Sequence, residues 1–333
     1  MRRLVLLGLL LAVTGCGGGD GSSGDGVEQV PAEGGVREQV RAAQAVQASD
    51  FPAPAGRTLD EVAAEIRGGG TVEVGLASSV FTVGRSRLAF GVIDQQGRFV
   101  YGPTAVYVAP TPQSRAQGPF AAPADVLMTE ARYRSRQAAE ETDPFAAVYQ
   151  AQIPFRRKGS HSVLVVTRQG DGYVAAPAQV NVTTKQADPI PDVGEPAPEV
   201  QTDTLESVKG NRDLLDTRTP PSEMHEQSFD QVVGSKPVAL LFSTPQLCQS
   251  RVCGPVTDVA LQLQAEYGDQ VEFIHQEVYV DNDPNAGLRE PLQAFRLPTE
   301  PWLFVVDRNG RISARLEGSF GLTAFENAIK TAL

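Results

Sequence analysis

Two periodicities divide the chain. A short helical pattern, Thr58-Leu59-Asp60-Glu61-Val62-Ala63-Ala64-Glu65-Ile66, is closed by Gly68-Gly69-Gly70. After it the apolar residues alternate at period two. Thr71 to Leu76, Arg87 to Asp94, Phe99 to Tyr107, Val148 to Phe155, Ser162 to Thr167 and Ala178 to Thr183 each read as a strand, with turn signals such as Gln95-Gln96-Gly97 between them. Short strands punctuated in this way predict an antiparallel sandwich. The proline- and charge-rich stretch from 108 to 145, with Arg132, Arg134 and Arg136, reads as a solvated loop carrying a helical turn, with contact to a partner as the alternative.

The pattern changes again in the last third. Pro237 to Phe242 is a continuous apolar run, as expected of a strand covered on both faces. Val256, Val259, Ala260, Leu263 and Tyr267 follow at helical spacing and stop at Gly268. Val271 to Ile274 is a second strand, Leu288 to Phe295 a helix, and Trp302 to Val306 a third strand. The turn Asp307-Arg308-Asn309-Gly310 leads to a fourth, and Leu322, Phe325 and Ile329 line a closing helix. The predicted order is β-α-β-α-β-β-α: a parallel crossover followed by a hairpin.

Between these regions, residues 187–204 include Asp188-Pro189-Ile190-Pro191 and Pro196-Ala197-Pro198. Proline fixes φ and removes a donor, so this segment is predicted to run extended as a linker. Ala-, Gln-, Gly- and Pro-rich residues 17–56 read as a second, flexible linker. The domain plan is therefore 57–186 for the β-sandwich and 205–333 for the α/β unit, within a multidomain chain of 333 residues.

The formal net charge of −11 disfavours a phosphate backbone, which argues against nucleic acid as a partner. The N-terminus carries more information. Met1-Arg2-Arg3 precedes the apolar run Leu4 to Val13, which is of signal-peptide length and too short to span a bilayer. It ends in Val13-Thr14-Gly15-Cys16, and a Gly/Ser tether follows at once. These residues resemble the lipobox of bacterial lipoproteins. The resemblance implies that residues 1–16 are a signal peptide ending at Cys16, with lipid on that cysteine. It also implies a location outside the cytoplasm, anchored to a membrane.

Of the three cysteines two then remain, Cys248 and Cys253, in a compartment where disulfides persist. Two residues five apart in a regular helix lie about 8–9 Å apart between Cα atoms, whereas a disulfide tolerates at most about 7 Å. The pair closes easily only with Cys248 in a strand-to-helix loop and Cys253 at the helix start, which Gly254-Pro255 marks. The unpaired amides there are expected to lower the Cys253 pKa and make it the nucleophile, with Cys248 resolving. Arg251 is positioned in sequence to assist the thiolate, and Glu300 to oppose it.

The element order and Cys253-Gly254-Pro255 resemble thioredoxin, as does the segment from Pro301 to Ile312. The resemblance implies an α/β thioredoxin-like domain, with Pro301 as a cis-proline facing the redox site. Val256 stands where thioredoxins carry their second cysteine, and Cys248 lies upstream instead. The β region resembles the immunoglobulin-like modules of exported bacterial proteins, such as the YtkA-like group.

Together these features predict a tethered thiol–disulfide oxidoreductase without a cofactor, whose partners are protein thiols and disulfides outside the cytoplasm. Three other readings stay open. One is a binding scaffold with a structural disulfide. Another is a thiol peroxidase resembling the bacterioferritin-comigratory peroxiredoxins, with Thr244-Pro245 before Cys248. The third is a Cu(I) site of Cys248, Cys253 and His225, with His275 as an alternative to His225, resembling the Sco-type chaperones.

Overall fold

The computed structural model describes residues 35–66, 70–140, 145–248 and 252–333. Residues 1–16, read above as a signal peptide ending at Cys16, the Gly/Ser segment after them and Arg251 lie outside the described residues. The strands of the first region are β1 (Val72–Leu76), β2 (Phe81–Thr82), β3 (Gly84–Asp94), β4 (Thr104–Ala109), β5 (Gln117–Ala121), β6 (Ala124–Val126), β7 (Ala147–Phe155), β8 (Gly159–Gln169) and β9 (Gly172–Thr183). They form two sheets, ordered β1-β3-β7-β6 and β2-β9-β8-β4-β5. Leu88, Phe90 and Tyr149 from the first sheet meet Val106, Val163, Val165 and Val180 from the second in one core. Helix α1 (Val36–Gln44) adds Val40 and Ala43 to that core, while α2 (Leu59–Ile66) covers the outer face of the second sheet against Tyr107 and Leu164.

Residues 36–44, which composition assigns to a linker, are thus a packed helix: Val40 and Ala43 lie on its buried stripe. The 108–145 stretch also departs from the solvated loop its composition predicts. It contains β5, the fully buried β6 and a short helix, α3 (Arg136–Glu140). Its inward groups include Asp125, Thr129 and Ser135, so the polar sequence hides a buried seam.

The third sheet holds β10 (Val238–Phe242), β11 (Glu272–Gln276), β12 (Trp302–Val306) and β13 (Ile312–Glu317), in the order β11-β10-β12-β13. β10 and β11 are parallel, and β12 and β13 form the antiparallel hairpin. The helices of this region are α4 (Arg212–Leu215), α5 (Phe229–Val232), α6 (Cys253–Tyr267), α7 (Glu290–Phe295) and α8 (Leu322–Lys330). The order is thioredoxin-like. Side chains of β10 and β12 alternate strictly between two cores. Ala239, Leu241, Leu303 and Val305 face α6 and α8, while Val238, Leu240, Phe242, Trp302 and Phe304 face α5 and α7. Burial on both faces is why these strands read as unbroken apolar runs.

The segment from 188 to 200 is not a free spacer. It lies along β13, with Gly194 N donating to Ile312 O at 2.8 Å and Ile312 N to Glu195 O at 2.9 Å. Ile190, Ala197 and Val200 are buried in the core below.

The two regions share a core as well. Ala89, Leu127 and Val148 from the first sheet pack with α6 and α8. Asp125 of β6 accepts the Gly321, Thr323 and Ala324 amides at 2.8, 2.8 and 3.1 Å, and so caps α8 from the other region. Half-buried Arg87 donates to the Glu317 and Ser319 carbonyls, and desolvation lowers its pKa to about 10. Gly318 has φ +75°, and a Cβ there would lie 1.7 Å from the Ala77 carbonyl oxygen, so only glycine lets the two backbones approach. Arg218 bonds Asp258 at 2.8 Å inside the protein, and Asp258 also accepts the Ser135 amide at 2.9 Å. Among the described residues no helix is long and apolar enough to cross a membrane.

Candidate functional site

β10 ends at Phe242, and the chain passes through a turn before α6 begins at Cys253. Val256, Val259, Ala260 and Leu263 form the buried stripe that seats α6 and hence fixes its first residue. Cys248 sits in the preceding turn, its amide donating to the Thr244 carbonyl at 3.2 Å. The expected arrangement, one cysteine in the loop and one at the helix start, is the one observed. The pair stands as two thiols, with Cys248 half-buried and Cys253 0 % exposed.

The Cys253 thiol faces the Cys248 side chain and the Thr244 amide. Burial pushes its pKa well above the ordinary thiol value, and Cys248 and the Glu300 carboxylate push in the same direction. The Thr244 N–H opposes them without prevailing. This overturns the expectation of a lowered pKa at Cys253. The macrodipole favours an anion by at most about 2 kcal/mol, whereas burial can shift a pKa by up to about 3–5 units, about 1.4 kcal/mol each.

Glu300 precedes Pro301, and their peptide bond is cis, as the resemblance implies. The carboxyl is held above its usual range by burial and then by Cys248. Tyr279 borders the same group, its phenol raised first by burial and then by Glu300 and the two thiols. Gly254 and Pro255 are half-buried in the first turn of α6. A cleft of about 480 Å³ opens between the two regions, lined by Ile93, Phe99 and Phe145 on one side and on the other by Glu300 and by Val252, the residue before Cys253.

His225 is not part of a thiol metal site. Its Nε2 lies 3.2 Å from Asp216 Oδ2 and 3.1 Å from Ser222 Oγ, and its ring packs 5.1 Å from that of His275. Asp216, His225 and His275 are the metal-capable cluster among the described residues, and it contains neither cysteine. Sequence reasoning missed Asp216, whose partners lie nine and fifty-nine positions away with no motif joining them.

No protein-family model matches the chain, and no curated protein does. Solved structures resemble part of it. A Chlorobium tepidum protein described as thiol:disulfide interchange protein DsbE is 18 % identical over 43 % of this chain and 98 % of its own, with a TM-score of 0.31. A thiol:disulfide interchange protein of the thioredoxin family from Chlorobium tepidum TLS is 17 % identical over 41 % of this chain and 94 % of its own, at 0.28. A thioredoxin-like protein in the oxidised form is 17 % identical over 33 % of this chain and 85 % of its own, also at 0.28. The fold rests on the sheet order described above.

Proposed function

We propose that this chain is an extracytoplasmic thiol–disulfide exchange protein, tethered to a membrane through Cys16, in which Cys248 attacks and Cys253 resolves. The observation that carries the reading is the asymmetry of the facing pair: one thiol half-buried in the turn, the other sealed at the head of α6. The roles are the reverse of those expected from helix position alone, because a substrate sulfur must reach the attacking thiolate.

In the forward direction the Cys248 thiolate attacks one sulfur of a partner disulfide. That bond breaks, the partner's other sulfur leaves as a thiolate, and a mixed disulfide forms. Cys253 then loses its proton to solvent and attacks Cys248 Sγ. The partner leaves with two thiols, reduced by two electrons, and this chain keeps a Cys248–Cys253 disulfide. The β region, which we read as immunoglobulin-like, supplies the apolar wall of the cleft and would contact the partner polypeptide.

The test is the reduction potential of the pair, read by alkylation and mass shift across a glutathione series. A value between about −120 and −270 mV is expected of a working exchange protein. A value below about −300 mV marks a structural disulfide and returns the chain to a tethered binding scaffold. A mixed disulfide trapped on Cys248 in Cys253→Ser, and not on Cys253 in Cys248→Ser, supports the assigned roles; the opposite pattern sinks them. Peroxide turnover with external thiol would favour a peroxidase instead.

A further inference from the structure

We propose that Asp216, His225 and His275 form a binding site for one first-row divalent cation of the zinc class, separate from the thiol pair. The three residues are 3, 4 and 0 % exposed, and their ligand atoms all lie within 4.8 Å of one another. Asp216 Oδ2 is 3.2 Å from His225 Nε2 and 3.5 Å from His275 Nδ1. Donors bound to zinc at about 2.0–2.2 Å on the corners of a tetrahedron stand about 3.3–3.6 Å apart. The two separations from Asp216 therefore lie close to those of donors sharing one cation.

The surrounding bonds orient the donors. His275 Nε2 lies 3.0 Å from the Ser243 carbonyl, which can only accept, so Nε2 carries the proton and Nδ1 turns toward Asp216. Asp216 is held by backbone amides, Arg218 N on Oδ1 at 2.8 Å and Ser222 N on Oδ2 at 2.6 Å. A purely hydrogen-bonded cluster accounts less well for His275. Its Nδ1 is fully buried, lacks a hydrogen-bond partner, and faces the carboxylate from beyond the ordinary N–H···O range of about 2.7–3.2 Å. A cation between the two would satisfy both. Imidazole and carboxylate together suit a borderline metal rather than Cu(I).

The site also has a route for loading. Asp216 and His225 lie on the irregular segment between α4 and α5, which rests on the edge strand β11 through His275 N to Met224 O at 2.9 Å. Opening that segment exposes the donors without breaking the sheet. Once filled, the site would pin the segment to β11 directly behind Ser243, at the root of the turn that carries Cys248.

The experiment is a titration of the chelator-stripped full chain with Co(II), followed by Zn(II) competition. One equivalent of Co(II) is expected, with d–d bands of a nitrogen- and oxygen-ligated site, no thiolate-to-cobalt charge-transfer band, and displacement by Zn(II). The Cys248→Ser/Cys253→Ser variant should bind unchanged, and His225→Gln should lose binding while melting where the metal-free wild type melts. No uptake by wild type overturns the proposal, as does uptake that disappears with the cysteines. Should His225→Gln fail to fold, proton NMR of the Co(II)-loaded wild type decides. Hyperfine-shifted ring signals from His225 and His275, and none from His161, support the site, and any other pattern refutes it.

Discussion

Replacing Asp125 by alanine tests whether the two regions form one cooperative body. Its carboxylate is 1 % exposed and accepts three amides of the α8 first turn across the seam. Loss of an ordinary N-cap costs about 0.5–2 kcal/mol, and hydrogen bonds to a charged acceptor contribute about 1.5–3 kcal/mol. Here burial of the carboxylate, which raises its pKa, offsets part of the gain. The net expectation is a loss of about 2 kcal/mol, or about 3 °C in melting temperature for a cooperative body of about 300 residues. Asp125→Asn, which keeps one acceptor oxygen, should lose roughly half as much. The assay is thermal unfolding followed by two probes: fluorescence of Trp302, the chain's single tryptophan, and far-ultraviolet circular dichroism weighted by the β sheets. Both midpoints should move together, because Ala89, Leu127 and Val148 share a core with α6 and α8. A shift below about 0.5 kcal/mol, or a Trp302 transition that moves alone, would refute the reasoning.

Four further outcomes are expected. At neutral pH an alkylating reagent should modify Cys248 and spare Cys253. The raised Cys253 pKa contributes stability that is complete below the ordinary thiol pKa of about 8.5 and lost as pH climbs through the higher folded value. Melting temperature should therefore fall over that alkaline window in the wild type, and fall less in Cys253→Ser. Glu300→Gln removes a like charge, so the Cys253 alkylation profile should move toward lower pH, as the rate against pH will show. Arg218→Ala strands the buried Asp258 carboxylate and should cost about 3–5 kcal/mol in urea unfolding. Arg218→Met combined with Asp258→Leu should cost less, since no uncompensated charge remains.

The thioredoxin-like third was legible because both faces of its strands are buried. Residues 237–242 and 302–306 leave no polar positions to confuse the pattern, and the turn at Asp307 to Gly310 marks the hairpin. The stretch from 108 to 145 was illegible for the opposite reason. Asp125 and Ser135 look solvated in sequence, yet their partners lie 196 and 123 residues away across the seam. The cysteine placement followed from helix geometry, whereas the sense of the Cys253 pKa shift did not. Sequence reports that a thiol heads a helix but not how deeply its neighbours bury it. The same limit hid Asp216, since a constellation drawn from α4's far end, an irregular segment and an edge strand has no linear spacing to find.

The close approach at Gly318 bears on how such a chain can diversify. A thioredoxin-like unit transplanted from another carrier would bring its own residue to the place where the Ala77 carbonyl leaves no room for a Cβ. It would also arrive without a match for the carboxylate that Asp125 offers to α8. The two regions are therefore not cassettes to be shuffled. A change on one side of the join calls for a matching change on the other.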